Sequence, residues 1–220
     1  MKPTSSFVQL FDDLPSTLPL ITKDNALLPG GELPLELSSP SEISLFLHAL
    51  RSSQLVGMVQ PNSSNESNGI YDIGCAGRIR QYRERKDGRL NVMLTGICRF
   101  RITESSITDN NFRLATVDWS NYPKDYETEV VALDIFDEFK RNLHQYFKLH
   151  NMQVDWKTLE NQPTEKVINN LILVLNLGTR EKQQLLESST VSQRTELFTQ
   201  ILKGSSKPTL VSEPHSQTIN

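Results

Sequence analysis

Cysteine is almost absent: Cys75 and Cys98 are the only two in 220 residues. That excludes a disulfide-stapled scaffold and a cysteine-rich zinc site, which both need more thiols at closer spacing. Histidine is scarce too, and His48, His144, His150 and His215 lack the HxxxH or HExxH spacing that would set two imidazoles on one helical face. No apolar run approaches the roughly 20 residues that span a bilayer, and the start, MKPTSSFVQLFDDLP, has no signal-peptide core. A formal charge of −3 biases the chain strongly toward neither sign. A cytoplasmic protein with two buried, reduced thiols is expected, a disulfide between them being the alternative.

Catalytic signatures are missing as well. There is no GxxxxGK followed by Ser or Thr to cradle a phosphate, no GxSxG elbow and no SxxK. The acidic pairs Asp12-Asp13 and Asp137-Glu138 are neighbours in sequence rather than convergent groups, and read as surface charge. No enzyme activity, cofactor or metal is expected.

What is present centres on Gly69 to Thr103. Leu90, Val92, Leu94, Gly96, Cys98, Phe100 and Ile102 fall on one parity, the period of a strand buried on one face. Asp87-Gly88 suits a two-residue hairpin turn, so Lys86 is expected to pair with Arg89, and residues 79, 77, 75 and 73 to oppose 96, 98, 100 and 102. That register places Ile73, Cys75 and Ile79 on one core face with Cys98, Phe100 and Ile102. The tip carries Arg78, Arg80, Arg83, Arg85, Lys86 and Arg89 against only Glu84 and Asp87. Three readings stay open for it: a solvated tip that deters aggregation, a contact for an acidic protein, or a phosphate-contacting ribbon.

Before this hairpin, Leu18 to Leu37 reads as two short strands broken by Pro19, Pro29, Gly30, Gly31 and Pro34, an edge-strand composition with a Pro-Gly-Gly turn. Ser39-Pro40-Ser41-Glu42 starts a helix with a capping box, and Ile43, Phe46, Leu47 and Leu50 form its expected core face. Leu55 to Gln60 and Phe112 to Trp119 are strands, and Pro61 to Gly69 a loop expected to be mobile. After Asn121-Tyr122-Pro123 the apolar period becomes helical: a long helix from about Asp125 to Leu149, a second from about Glu165 to Leu177 that is apolar all round and stopped by Gly178 as a left-handed cap, then Thr179 to Glu187 and Val191 to Lys203. The expected organisation is a disordered lead over 1–13, a β-rich half over 14–122, a helical bundle over 123–204 and a disordered tail over 205–220.

In order and spacing, Leu18-Pro19-Leu20, Leu28-Pro29-Gly30-Gly31-Glu32-Leu33-Pro34-Leu35, Tyr71 to Ile79, Asp87-Gly88-Arg89 and Gly96-Ile97-Cys98-Arg99-Phe100-Arg101-Ile102 resemble the N-terminal substrate-binding domain of the Lon proteases, the last being similar to that family's GxxRFRI segment. The resemblance covers about residues 14 to 203. It departs at Leu37-Ser38-Ser39-Pro40-Ser41-Glu42, where the family has IFEPRY. It implies an α+β fold, a six-stranded PUA-like β pseudo-barrel with one helix followed by a C-terminal α-helical bundle. It also implies a non-catalytic module that binds unfolded or partner polypeptides, because the chain ends at Asn220 without ATPase or peptidase modules. The alternatives are an RNA-binding PUA-like protein and an accessory subunit acting with a separate protease. The candidate partner-binding residues are Leu28, Pro29, Leu33 and Leu35 on the Pro-rich strand, which could accept an extended peptide by strand addition, and Arg83, Arg85, Lys86 and Arg89 at the tip.

Overall fold

The computed structural model describes residues 10–65, 68–152, 156, 159 and 162–205. Of the segments expected to be disordered, 1–13 and 205–220, residues 1–9 and 206–220 lie outside these, as do residues 66–67 of the Pro61–Gly69 loop, while Ser205 closes a helix. Residues 10–13 are folded rather than loose: Phe11–Asp13 make a 3-10 turn, and the Phe11 ring meets Tyr126 edge-on at 5.7 Å.

Six strands form one sheet: β1 (Thr17–Thr22), β2 (Glu32–Leu37), β3 (Leu55–Val59), β4 (Ile73–Glu84), β5 (Leu90–Ile107) and β6 (Arg113–Asp118). Their order is β2-β5-β4-β3-β1-β6, and β5 also pairs with β6, so the sheet closes on itself. The 18-residue β5 makes this possible, because its first half pairs with β2 and its second with β6. The closed part is a pseudo-barrel, and β2 widens the β4–β5 hairpin into a three-stranded ribbon beyond it.

Alternation along the strands fills two cores instead of one. Leu18, Leu20, Leu55, Val59, Ala76, Phe100, Ala115 and Val117 pack inside the barrel. Their neighbours of opposite parity, among them Ile21, Val56, Met58 and Cys75, join a second core that runs on into the helices, as do Val92 and Leu94, which share the parity of Phe100 but lie beyond the register shift between Gly96 and Cys98. That is why β3 is buried at all five positions.

The hairpin register differs from the expected one. The turn is a three-residue loop, Lys86-Asp87-Gly88: Arg85 N–H donates to Arg89 O at 2.8 Å, Gly88 N–H to Arg85 O at 2.9 Å, and Gly88 sits at φ +80°. Glu84 therefore opposes Leu90, and after irregularities between Ile79 and Gln81 and between Ala76 and Gly77 the base pairs Ala76 with Cys98, Cys75 with Arg99 and Gly74 with Phe100. A shift of one residue exchanges faces. Cys75 and Ile79 consequently lie in the outer core with Leu90, Val92 and Leu94, whereas Phe100 and Ile102 belong to the barrel interior. Both thiols are free and buried.

Helix α1 (Pro40–Arg51) has the expected capping box, Ser39 Oγ accepting from Glu42 N–H while the Glu42 carboxylate accepts from Ser39 N–H. Burial alone would raise the Glu42 pKa, but Lys23 at 2.6 Å and the Ser38 and Ser39 N–H groups outweigh it and hold the carboxyl at about 2. The buried face is Leu45, Phe46 and Ala49, with Ile43 and Leu50 half-buried and Leu47 exposed. The expected stripe is thus rotated, because the helix leans on β1 and β3.

Further along come helices α2 (Leu133–Leu149), α3 (Thr164–Val174), α4 (Thr179–Glu187) and α5 (Val191–Ser205). Helix α2 starts later than its period suggests. Pro123–Tyr126 is a 3-10 turn and the chain then stays out of helix to Ala132, which leaves Glu129 free to cap α5 by accepting from Val191 N–H, Ser192 N–H and Ser192 Oγ. Helix α3 stops at Val174, which is 71% exposed, so it is not covered all round. Gly178, at φ −65°, is no left-handed cap; it opens α4, donating its N–H to the Glu181 carboxylate.

One close approach holds the Pro-Gly-Gly corner to the sheet. Gly30 N–H donates to Gly96 O and Gly96 N–H to Gly31 O, so a Cβ on Gly96 would overlap the Leu28 carbonyl. Gly96→Ala is expected to destabilise the protein by about 1–3 kcal/mol or more, because backbone rather than a movable side chain stands in the way. A melting temperature equal to that of the parent chain would show that the corner can move aside.

Candidate functional site: the open face of the three-stranded ribbon

Beyond the barrel, β2, β5 and β4 bring side chains into rows: Leu35–Val92–Tyr82 on one face, and Pro34–Met93–Gln81 with Glu36–Asn91–Arg83 on the other. The first face is core. Val92 is 4% exposed, and Tyr82, though largely exposed, sets its ring edge-on to Phe46 of α1 at 5.1 Å. The second face is open and bears a cleft of about 440 Å³ lined by residues 34–36, 81–83 and 91–93. Pro34 and half-buried Met93 make its apolar floor; Arg83 and Asn91 line both it and a second cleft running along the hairpin tip.

The tip is less basic than its own residues suggest, because β2 brings Glu36 to it. Glu36 accepts from Arg85 at 2.9 Å and from Arg89 at 2.7 Å, and Asp87 from Arg89 at 2.6 Å. Asp87 and Glu36 raise the Arg89 pKa, and Arg89 in turn lowers that of Asp87. Among the described residues Arg83 and Lys86 have no acidic partner, so of the basic residues lining the two clefts they are the ones left available.

The eight expected partner-binding residues do not form one surface. Leu28, Pro29 and Leu33 are buried in the shared core, Leu35 and Arg83 line the cleft, and Arg85, Lys86 and Arg89 stand at the tip. Strand addition to β2 is also poorly served. Glu32 N–H already donates to Asn170 Oδ1 at 3.3 Å, and Pro34, which alternation aims at the same edge, has no N–H to give. A partner meets the face of this ribbon more readily than its edge.

Sequence reasoning missed a buried polar network at the junction of sheet and helices. Arg99, 4% exposed, donates through Nη2 to Asp125 at 2.7 Å, through its backbone N–H to the same carboxylate at 2.8 Å, and through Nη1 to Leu186 O and Ser188 O. Its guanidinium lies 5.0 Å from the centre of the Tyr122 ring. Burial alone would lower the Arg99 pKa, but the Asp125 carboxylate outweighs it and the pKa is raised. Nearby, Arg194 donates to Leu185 O and Asn169 Oδ1, and Asn169 Nδ2 to Pro29 O; burial pushes Arg194 down to about 10. These groups join elements and line neither of the two ribbon clefts. Among the described residues no group of three His, Cys, Asp or Glu could hold a metal ion, and no helix is long and apolar enough to cross a membrane.

A closed six-stranded sheet, backed by helices and extended by an open ribbon, defines an α+β domain whose accessible feature is a surface cleft. Its family follows from comparison: the chain belongs to the family described as the ATP-dependent protease La (LON) substrate-binding domain, whose model matches residues 17–204. It is similar to the Lon protease of Anaeromyxobacter dehalogenans (22% identical, 87% of this chain, 23% of the protease) and to that of Flavobacterium johnsoniae (27%, 83% and 23%). The chain thus spans about a quarter of the length of these curated relatives. The same fold is seen in the crystal structure of a Lon N-terminal domain protein from Xanthomonas campestris (TM-score 0.61, 21% identical, 85% of this chain and 97% of that one). It recurs in the N-terminal domain of the Mycobacterium avium complex Lon protease (0.62, 16%, 85% and 98%).

Proposed function

We propose that this chain is a cytoplasmic, non-catalytic recognition module that holds exposed stretches of unfolded or partner polypeptide and presents them to a separate protease. The observation that carries this reading is the family match over residues 17–204, together with an apolar-floored cleft on the one ribbon face that α1 does not cover. The buried polar groups support it by their placement: Arg99 and Arg194 are engaged in holding elements together. A nucleic-acid role draws less support, since Glu36 and Asp87 neutralise Arg89 and Glu36 takes Arg85 as well.

Fluorescently labelled lactalbumin, reduced and carboxymethylated so that it stays unfolded, is the direct probe. The protein is expected to raise its anisotropy while leaving native lactalbumin unchanged, and to leave both intact on a gel with or without ATP. Absence of binding to the unfolded form would overturn the proposal. So would cleavage that a single substitution in this chain abolishes.

A further inference from the structure

We propose that the open ribbon face selects extended segments in which an apolar residue is followed, two and four positions along in either chain direction, by acidic residues. This rests on the polypeptide-binding reading above and names the chemistry of its ligand. The spacing comes from the rows. Pro34–Met93–Gln81 and Glu36–Asn91–Arg83 are successive rows on one face, two residues apart along each strand, or about 6.8 Å. An extended peptide laid along the ribbon repeats its own side chains at that same interval. With an apolar side chain seated on Pro34 and Met93, the residue two positions on reaches Arg83, and the next on that side reaches Lys86 at the tip.

The charge at those places is positive for a stated reason. Every acid on the tip except Glu84 is engaged: Glu36 holds Arg85 and Arg89, and Asp87 holds Arg89. Glu84 opposes Leu90 and Leu37 opposes Leu90 in turn, which puts Glu84 in the row that faces the core side of the ribbon. Arg83 lines both clefts and Lys86 the second, and among the described residues neither has an acidic partner. A lysine or arginine in the ligand would meet two unpaired cations there, while a glutamate or aspartate would complete them. Nucleic acid fits less well, because the floor is Pro34 and Met93, and Tyr82, the aromatic residue at the cleft, is turned to Phe46 of α1 rather than set out for base stacking.

The test uses the full chain and short labelled peptides with a leucine and two glutamates at this spacing, set against the same peptides carrying lysines. The glutamate peptide is expected to bind about tenfold more tightly in low salt, as two exposed charge pairs exchanged for two repulsions would give. The double variant Arg83→Glu/Lys86→Glu, whose positions are exposed and whose melting should match the parent, is expected to reverse the order. Met93→Lys should weaken both peptides. If the two peptides bind alike and the double variant does not discriminate, while unfolded lactalbumin still binds, the charge rule is wrong and the general recognition role survives. If neither peptide nor lactalbumin binds, both fail. If labelled RNA displaces the glutamate peptide with a steep salt dependence, the face is a nucleic-acid site and the proposal is overturned.

Discussion

Arg99→Ala is expected to destabilise the protein by about 3–5 kcal/mol, the cost of leaving a buried ion without its partner. The substitution strands the Asp125 carboxylate, whose side chain is 5% exposed, and removes the donor to Leu186 O and Ser188 O at the end of α4. For a chain of this length that corresponds to a fall in melting temperature of roughly 6–20 °C. Arg99→Lys should not rescue it. A single ammonium cannot reach both Asp125 and two carbonyls that lie in different directions, as the planar guanidinium does. The double change Arg99→Met/Asp125→Leu, which removes both charges, is expected to cost less than Arg99→Ala alone. Thermal and urea melts of the three variants decide the matter: if Arg99→Ala melts within a degree or two of the parent, Arg99 does not tie the sheet to the helices.

That network shows where the sequence stops being legible. Local signals read well: the Ser39–Glu42 capping box, the strand alternation from Leu90 to Leu94 and the helical rhythm from Phe136 to Phe147 each depend on neighbours a few residues away. Arg99 sits at a position whose parity reads as solvent-facing. Its burial depends on Asp125, 26 residues on, and on carbonyls 87 and 89 residues on, which no period in the strand announces. The hairpin turn failed more subtly. Asp87-Gly88 fits a two-residue and a three-residue loop equally, and the difference of one residue decides whether Cys75 or Ala76 shares a face with Phe100. The cleft was legible only in part for the same reason. Leu35 and Arg83 were singled out from the strand and the tip, but Pro34, Met93 and Asn91 become one surface only through a cross-strand register, and Leu28 and Leu33 are drawn inward by helices far along the chain. Glu36 likewise reaches the tip through the β2–β5 pairing alone, which is why a count along the hairpin overstates its charge.

Removing the last two helices is expected to be more severe still. A chain ending at Thr179 loses Leu185, Leu186, Val191, Phe198 and Leu202, none more than 6% exposed, and strips the cover from Phe139, whose ring lies 5.2 Å from that of Phe198. At roughly 1.5–3 kcal/mol for each buried side chain, the loss is comparable with the whole stability of an ordinary domain, about 5–15 kcal/mol. The polar ties go with it: Gln183 no longer donates to Ile73 O, Arg194 no longer holds Asn169, and Glu129 no longer caps α5. Helices α2 and α3 should therefore melt or aggregate, and the helical circular dichroism should fall well below the share that their lengths would contribute. A chain ending at Tyr122 poses a different case. Every member of the barrel-interior cluster, from Leu18 to Val117, lies within it, so its strand signal is expected to persist. Its outer face is bared at Val56, Met58 and Cys75, however, and it should melt below the full protein. Circular dichroism melts of the three chains test both halves of the argument. If the chain ending at Thr179 melts like the full one, α4 and α5 are not part of the cooperative core; if the chain ending at Tyr122 shows no strand signal, the barrel interior is too small to hold the sheet without its helical cover.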